Sequence, residues 1–349
     1  MILSSLSAIL AGLSVANALE YKGVDWSSVI VEEKAGVSYK NANGNAQPLE
    51  SILADNGVNT VRQRVWVTPQ GGNYNLDYNI KLGQRAKAVG MGVYLDLHFS
   101  DTWADPAHQT IPSGWPSDID ALPRKLYNYT LEVSNKFQDA GVQPTIISIG
   151  NEITPGFLWP TGRTNNWANI ARLLHSASAG IKASRLQPQP KIMIHLDNGW
   201  SWATQNNWYT NVLKQGTLLS SDYDMMGVSF YPFYSASATL SSLKSSLTNM
   251  ANAWGKEILV VETDWPISCP SPKQQFPSDA RNIPYTAAGQ STWMQKVAEV
   301  VSSVKGGTGL FYWEPAWIHN ANLGSSCADN CMFSQSGQAL SSISVFRNI

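Results

Sequence analysis

The chain has 349 residues, with 24 Lys plus Arg against 25 Asp plus Glu and a formal net charge of -1 at pH 7. That length suffices for one large domain with a substantial core, and the balanced charge, without a basic block, excludes a nucleic-acid surface. Only 14% of residues are charged while Trp reaches 14 copies, more than packing requires, so some of those rings have a further task.

The chain opens with a short apolar stretch followed by Ala16-Asn17-Ala18, which fits the small-x-small rule for signal-peptide cleavage. Residues 1–18 are expected to be a secretory signal peptide, although no Lys or Arg precedes the apolar stretch. Ser and Gly interrupt the segment and it is too short for a membrane anchor, so residues 19–349 are expected to be one secreted domain with no membrane partner.

Short β-rich runs then alternate with longer helical patterns. Strands are predicted at 20–25, 58–67, 92–98, 145–150, 191–197, 224–231, 257–262 and 310–314. Between them lie "PLESILADNG", "LDYNIKLGQRAKAVG" and "DALPRKLYNYTLEVSNKFQDAG", whose apolar residues recur at three- and four-residue steps and which each end in Gly. The last holds Asn128-Tyr129-Thr130, a usable N-glycosylation acceptor. Eight strand-then-helix units predict parallel strands with right-handed crossovers, hence a closed (β/α)8 TIM barrel. An open doubly wound sheet is the alternative, but no G-x-G-x-x-G or P-loop follows the first strand.

In such a barrel the C-terminal strand ends and the loops after them form the active face. The fourth strand stops at "ISIGNEITPG", with Asn151 and Glu152, and the seventh at "ILVVETDWP", with Glu262; closure brings these strands to opposite sides of one mouth. Each Glu alone could be a solvated loop residue. The other ends are polar too: Arg62 and Arg64 share a face of the second strand, Asp96 and His98 end the third, His195 and Asp197 the fifth, and Tyr231 the sixth. An inward Arg beside a carboxylate keeps it ionised, as a nucleophile needs, though a barrel-closing salt bridge is the plainer reading of the two Arg.

Taken together, "RQRVWV", "YLDLHFSDTWADP", "ISIGNEI", "GVSFYPFY" and "VVETDWP" resemble the arabinogalactan endo-β-1,4-galactanases of glycoside hydrolase family 53, fungal members especially, within the clan of retaining (β/α)8 glycosidases. The likeness runs from about Tyr21 to the C-terminus. It implies a polysaccharide substrate, β-1,4-galactan, with Glu152 as acid/base and Glu262 as nucleophile. Asn151 would bond the sugar 2-hydroxyl, Arg62 and Tyr231 would hold Glu262 ionised and oriented, and Trp313 would lie beneath the reacting ring. Arg64, His98 and Asp197 would be supporting residues, and the bond after Trp313 is expected to be cis. Mannanases, xylanases and cellulases share the clan pattern.

Trp103, Trp115, Trp159, Trp200, Trp202, Trp265 and Trp317 all follow strands, where rings can stack on sugar C–H faces; packing is the alternative for each, and Trp103 is the foremost candidate for substrate. Cys269, Cys327 and Cys331 are an odd number. Because segments after the seventh and eighth strands are barrel neighbours, Cys269–Cys327 is the expected disulfide, with Cys331 free and Cys327–Cys331 as the rival pairing. Asp96-x-His98 and His195-x-Asp197 could belong instead to a metal-dependent hydrolase, yet no HxH or HExxH motif supports that. A binding protein without activity would need rings but not opposed glutamates. No metal, calcium included, and no cofactor is expected, and the chain is expected to act as a monomer.

Overall fold

The computed structural model describes residues 18–349; the segment 1–17, with nearly all of the expected signal peptide, lies outside the described residues. Eight parallel strands close into a barrel: β1 Tyr21–Asp25, β2 Thr60–Val65, β3 Gly92–Leu97, β4 Pro144–Ile149, β5 Lys191–Leu196, β6 Met225–Ser229, β7 Glu257–Glu262 and β8 Gly307–Tyr312, with β8 hydrogen-bonded back to β1. Helices α1 Val29–Lys34 and α2 Leu49–Asp55 follow β1; α3 Leu76–Ala88, α4 Leu122–Asp139, α5 Trp167–Lys182, α6 Trp202–Leu213, α7 Leu240–Trp254 and α8 Ala287–Ser302 follow the next six strands in turn. A 3-10 turn, Ser341–Arg347, takes the place of a helix after β8. Among the described residues no helix is long and apolar enough to cross a membrane.

Alternation along the strands makes two cores. Tyr21, Tyr94, Ile146, Met193, Met225, Leu259, Val261 and Phe311 fill the barrel interior. Their outward neighbours, such as Leu95, Ile147, Ile194 and Val260, join helix residues such as Leu82, Leu126, Leu174 and Leu247 in the outer core. The interior is so full that a side chain at Gly23 would put its Cβ 2.1 Å from the Phe311 ring. Helices are started by side chains: Asn75, Asn166, Ser201, Thr239 and Thr286 each accept the amide three residues on, a cap worth about 1 kcal/mol apiece.

The loops above the strands are tied to one another. Cys269–Cys327 links the loops after β7 and β8, as expected, and Cys331 is a buried free thiol. The expectation of a cis bond at Trp313–Glu314 is corrected: that bond is trans, and among the described residues the cis peptides are Trp159–Pro160 and Gln187–Pro188. The chain turns after β8 through left-handed backbone at Glu314, φ 46°. Its carboxylate pins that turn by accepting the Ser28 N–H at 3.0 Å and hydroxyl at 2.7 Å and by pairing with Arg64.

Candidate active site

Glu314 is one of four such turns at the barrel mouth. Phe99, Glu152 and Asn198, just past β3, β4 and β5, also have positive φ, at 50°, 49° and 50°. Non-glycine residues there cost roughly 1–3 kcal/mol each and persist where surroundings hold them. For Glu152 the result is that β4 ends by turning its side chain over the open barrel end. Glu262 reaches the same space by another route. Leu259 and Val261 point inward, so alternation would send Glu262 outward, but the β6–β7 register slips by one residue and pairs Ser229 with Glu262. Thr263 faces the helices instead, accepting the Trp293 Nε1–H at 2.8 Å.

The two glutamates open onto a cleft of about 510 Å³ that is also lined by Arg62, Arg64, His98, Trp103, Asn151, Asp197, Tyr231 and Trp313. All ten sequence-derived site residues at the mouth are therefore in one place. Below the cleft, the buried Arg62 guanidinium contacts Asp25 at 2.8 Å, Asp96 at 2.8 Å, Glu262 at 2.7 Å and Asn151 Oδ1 at 2.8 Å. Asp96 is held below the usual carboxylate range despite its burial, by the Arg62 charge and the hydrogen bond to His98. His98 gives its Nε2 side to Asp96 at 2.9 Å, while Nδ1 accepts from Trp66 Nε1 and from the Ala104 amide, anchoring the loop that carries Trp103.

The carboxyl pair is asymmetric. One oxygen of Glu152 and one of Glu262 lie within 4.8 Å, together with an imidazole nitrogen of His195. Burial, then the Glu262 charge, then Asp197 push the Glu152 carboxyl well above its ordinary range. Burial raises Glu262 too, but the Arg62 charge and the Tyr231 hydroxyl, donating at 2.8 Å, oppose that rise. Glu152 is thus the member that keeps a proton, and Glu262 the member equipped to lose it.

One wall is aromatic. Trp103, 36% exposed, stacks on Trp317 with centroids 6.2 Å apart and lies 6.1 Å from Trp313. The buried Arg64 guanidinium sits 4.7 Å from Trp103, 5.1 Å from Trp317 and 4.2 Å from Tyr74, so Arg64 supports the rings from behind. Trp200 lines the cleft as well. The other strand-end Trp are structural: Trp265 is fully buried against Trp293 and Phe276, Trp202 packs on Trp254, Trp115 on Tyr129, and Trp159 lies under Arg163. Sequence reasoning missed Tyr234 and the cleft-lining residues Asn320, Leu323 and Gly324. The "YPFY" run could have yielded Tyr234; the loop after β8 carries no such signal. Asn128 is exposed on α4, whereas the Thr130 hydroxyl is turned inward to Tyr127 O and Ala177 O.

Glu152, His195 and Glu262 have the spacing of cation ligands, but the surroundings oppose that use. Arg62 already places a positive charge 2.7 Å from Glu262.

A (β/α)8 barrel with an acid and an ionisable carboxylate facing each other in a Trp-walled cleft is a glycoside hydrolase. The profile of Glycosyl hydrolase family 53 matches residues 21–346, and the chain belongs to that family. It is 76% identical over 332 residues to an arabinogalactan endo-beta-1,4-galactanase of Thermothelomyces thermophilus, and 72% identical over 332 residues to one of Humicola insolens. Each comparison covers 95% of this chain and 100% of the relative. Among solved structures, one of a pair of fungal beta-1,4-galactanases superposes with a TM-score of 0.95 at 76% identity, covering 95% of this chain and 100% of the other.

Proposed function

We propose that the chain is a secreted endo-β-1,4-galactanase that cuts galactan or arabinogalactan side chains internally, with retention at the anomeric carbon. The facing Glu152 and Glu262, with oxygens within 4.8 Å, carry this reading: retaining pairs stand about 5–5.5 Å apart, while inversion needs roughly 6.5–9.5 Å to admit a water. High identity to named galactanases supports the substrate.

Glu262 attacks C1 while Glu152 gives its proton to the leaving glycosidic oxygen; the C1–O bond breaks and a glycosyl-Glu262 ester forms. Water then attacks C1, Glu152 takes the water proton, and the ester bond to Glu262 breaks. Asn151 has one side-chain N–H committed to Ala104 O at 2.7 Å and its oxygen to Arg62, leaving the second N–H for the sugar 2-hydroxyl. Trp313 lies beneath the reacting ring and Trp103 stacks a neighbouring sugar. Arg64, His98 and Asp197 support these groups. Residues 1–18 are a secretory leader, 19–349 the catalytic domain, Asn128 a glycosylation site, and the enzyme works as a monomer without membrane or nucleic-acid partner.

The test is NMR of the first-formed sugar, with rates on β-1,4-galactan, β-mannan, xylan and carboxymethylcellulose side by side. A β product and a preference for galactan are expected; an α product overturns the mechanism, and equal rates on mannan overturn the substrate. Glu262→Gln should abolish turnover, whereas Glu152→Gln should still be glycosylated by substrates with activated leaving groups.

A further inference from the structure

His195 and Ser229 have no part in that mechanism, yet they lie against its acid. His195, on β5, is fully buried, and its Nε2 lies 2.8 Å from Ser229 Oγ at the end of β6. Its Nδ1 is buried and, among the described residues, has no hydrogen-bond partner. An N–H at that position would have nothing to donate to, so the proton belongs on Nε2, pointing at the Ser229 oxygen. The Ser229 hydroxyl is then free to donate elsewhere. It lines the same cleft as Glu152, one of whose carboxyl oxygens lies within 4.8 Å of an imidazole nitrogen of His195, and the hydroxyl favours the ionised form of that carboxyl.

We propose that His195 and Ser229 are positioning residues for the acid/base, with the imidazole Nε2–H donating to the Ser229 hydroxyl and that hydroxyl donating to Glu152. This rests on the reading of Glu152 as acid/base. In the first step Glu152 becomes a carboxylate; in the second it must stay one until water is deprotonated. A donor fixed on its oxygen stabilises that interval and tunes the pKa on which both steps depend.

The imidazole suits the task because it does not itself become charged. Burial and the positive charge of Arg62 hold its pKa down at about 3, with Asp96 opposing and His98 adding to the fall. It is a donor of constant charge at any pH well above 3. The other groups facing Glu152 are Glu262 and Asp197, which hold its proton on, Arg62, which draws it off, and the phenols of Tyr231 and Tyr234.

The experiment is the pH dependence of kcat/KM on β-1,4-galactan for the wild type, Ser229→Ala, Ser229→Thr, His195→Leu, His195→Gln and the double variant Ser229→Ala/His195→Leu. Loss of the hydroxyl should raise the alkaline limb, which reports Glu152, by about one pH unit and leave the acidic limb in place. Ser229→Thr and His195→Gln, which keep a donor, should hold the wild-type limb. The double variant should shift no further than Ser229→Ala, because the two residues act in series. An unmoved alkaline limb in Ser229→Ala overturns the proposal, and so does an additive double shift. Ser229→Ala is a small change, so it decides the matter even if His195→Leu fails to fold. Glu152→Gln on a substrate with an activated leaving group separates the two failures. If it keeps the alkaline limb, the acid/base reading itself is wrong; if it loses the limb while Ser229→Ala keeps it, only the pairing is wrong.

Discussion

Arg62 shows how much of the mouth depends on one side chain. Its fork meets Asp25, Asp96 and Glu262, all buried, so one cation balances three anions that would otherwise repel. Lys keeps the charge but not the fork, and a single ammonium cannot reach all three. Arg62→Lys should therefore lower kcat/KM at least tenfold and cost about 3–5 kcal/mol of stability, as expected for breaking a buried ion pair; denaturant unfolding and steady-state kinetics would measure both. Wild-type stability in that variant would show that the guanidinium geometry is immaterial. Tyr231 acts more narrowly, donating to Glu262 at 2.8 Å. In the proposed mechanism Glu262 must be ionised to attack, and removing a donor disfavours the ion, so Tyr231→Phe should move the acidic limb of kcat/KM upward by about one pH unit. The idea fails if that limb stays where it is in the wild type.

Elements were readable from sequence where their cause is local, and not where it lies in pairing. Runs such as 145–150 and 257–262 are β-branched and bounded by Gly or polar residues, and the strands formed within a residue or two of them. The inward turn of Glu262 comes from a register slip against β6, which no single strand's alternation reveals. Trp265 follows a strand as Trp103 does, but faces α8 and fills the core, because its loop folds back beneath Phe276 and Tyr285. Trp313 became a site candidate only by family resemblance. The disulfide was readable because barrel order makes the last two loops neighbours. Its ends lie 58 residues apart, so closing that loop removes about 2–4 kcal/mol of unfolded-state entropy. Cys269→Ser/Cys327→Ser should accordingly lower Tm by several degrees, and peptide mapping without reductant should recover Cys269 joined to Cys327. Recovery of Cys327 joined to Cys331 would refute the pairing.

At the scale of the whole molecule, the barrel mouth buries groups whose ionisation opposes folding in opposite pH ranges. His195 is neutral in the fold down to about pH 3, against an unfolded value near 6.5. Its contribution to stability is complete above about pH 6.5 and declines as pH falls toward 3, because there the unfolded chain binds the proton and the folded one does not. Asp264, just past β7, behaves in reverse. It is fully buried; burial, then the Glu262 charge, raise its pKa well above the usual range, against a smaller opposing effect of the Trp313 backbone amide. Its contribution is complete below about pH 4 and declines as pH rises, because folding must then take up a proton. Each group tilts the stability curve by at most about 1.4 kcal/mol per pH unit, and the tilts partly cancel, leaving a broad maximum between them. Replacing either should remove its own tilt. The Tm difference between wild type and His195→Gln should therefore be largest at pH 7–8 and shrink toward pH 4. For Asp264→Asn, an always-neutral isostere, the difference should be largest at pH 4 and shrink or reverse by pH 8. Thermal unfolding of the three proteins across that range measures both slopes, and curves that run parallel would show that neither group changes its proton occupancy on folding.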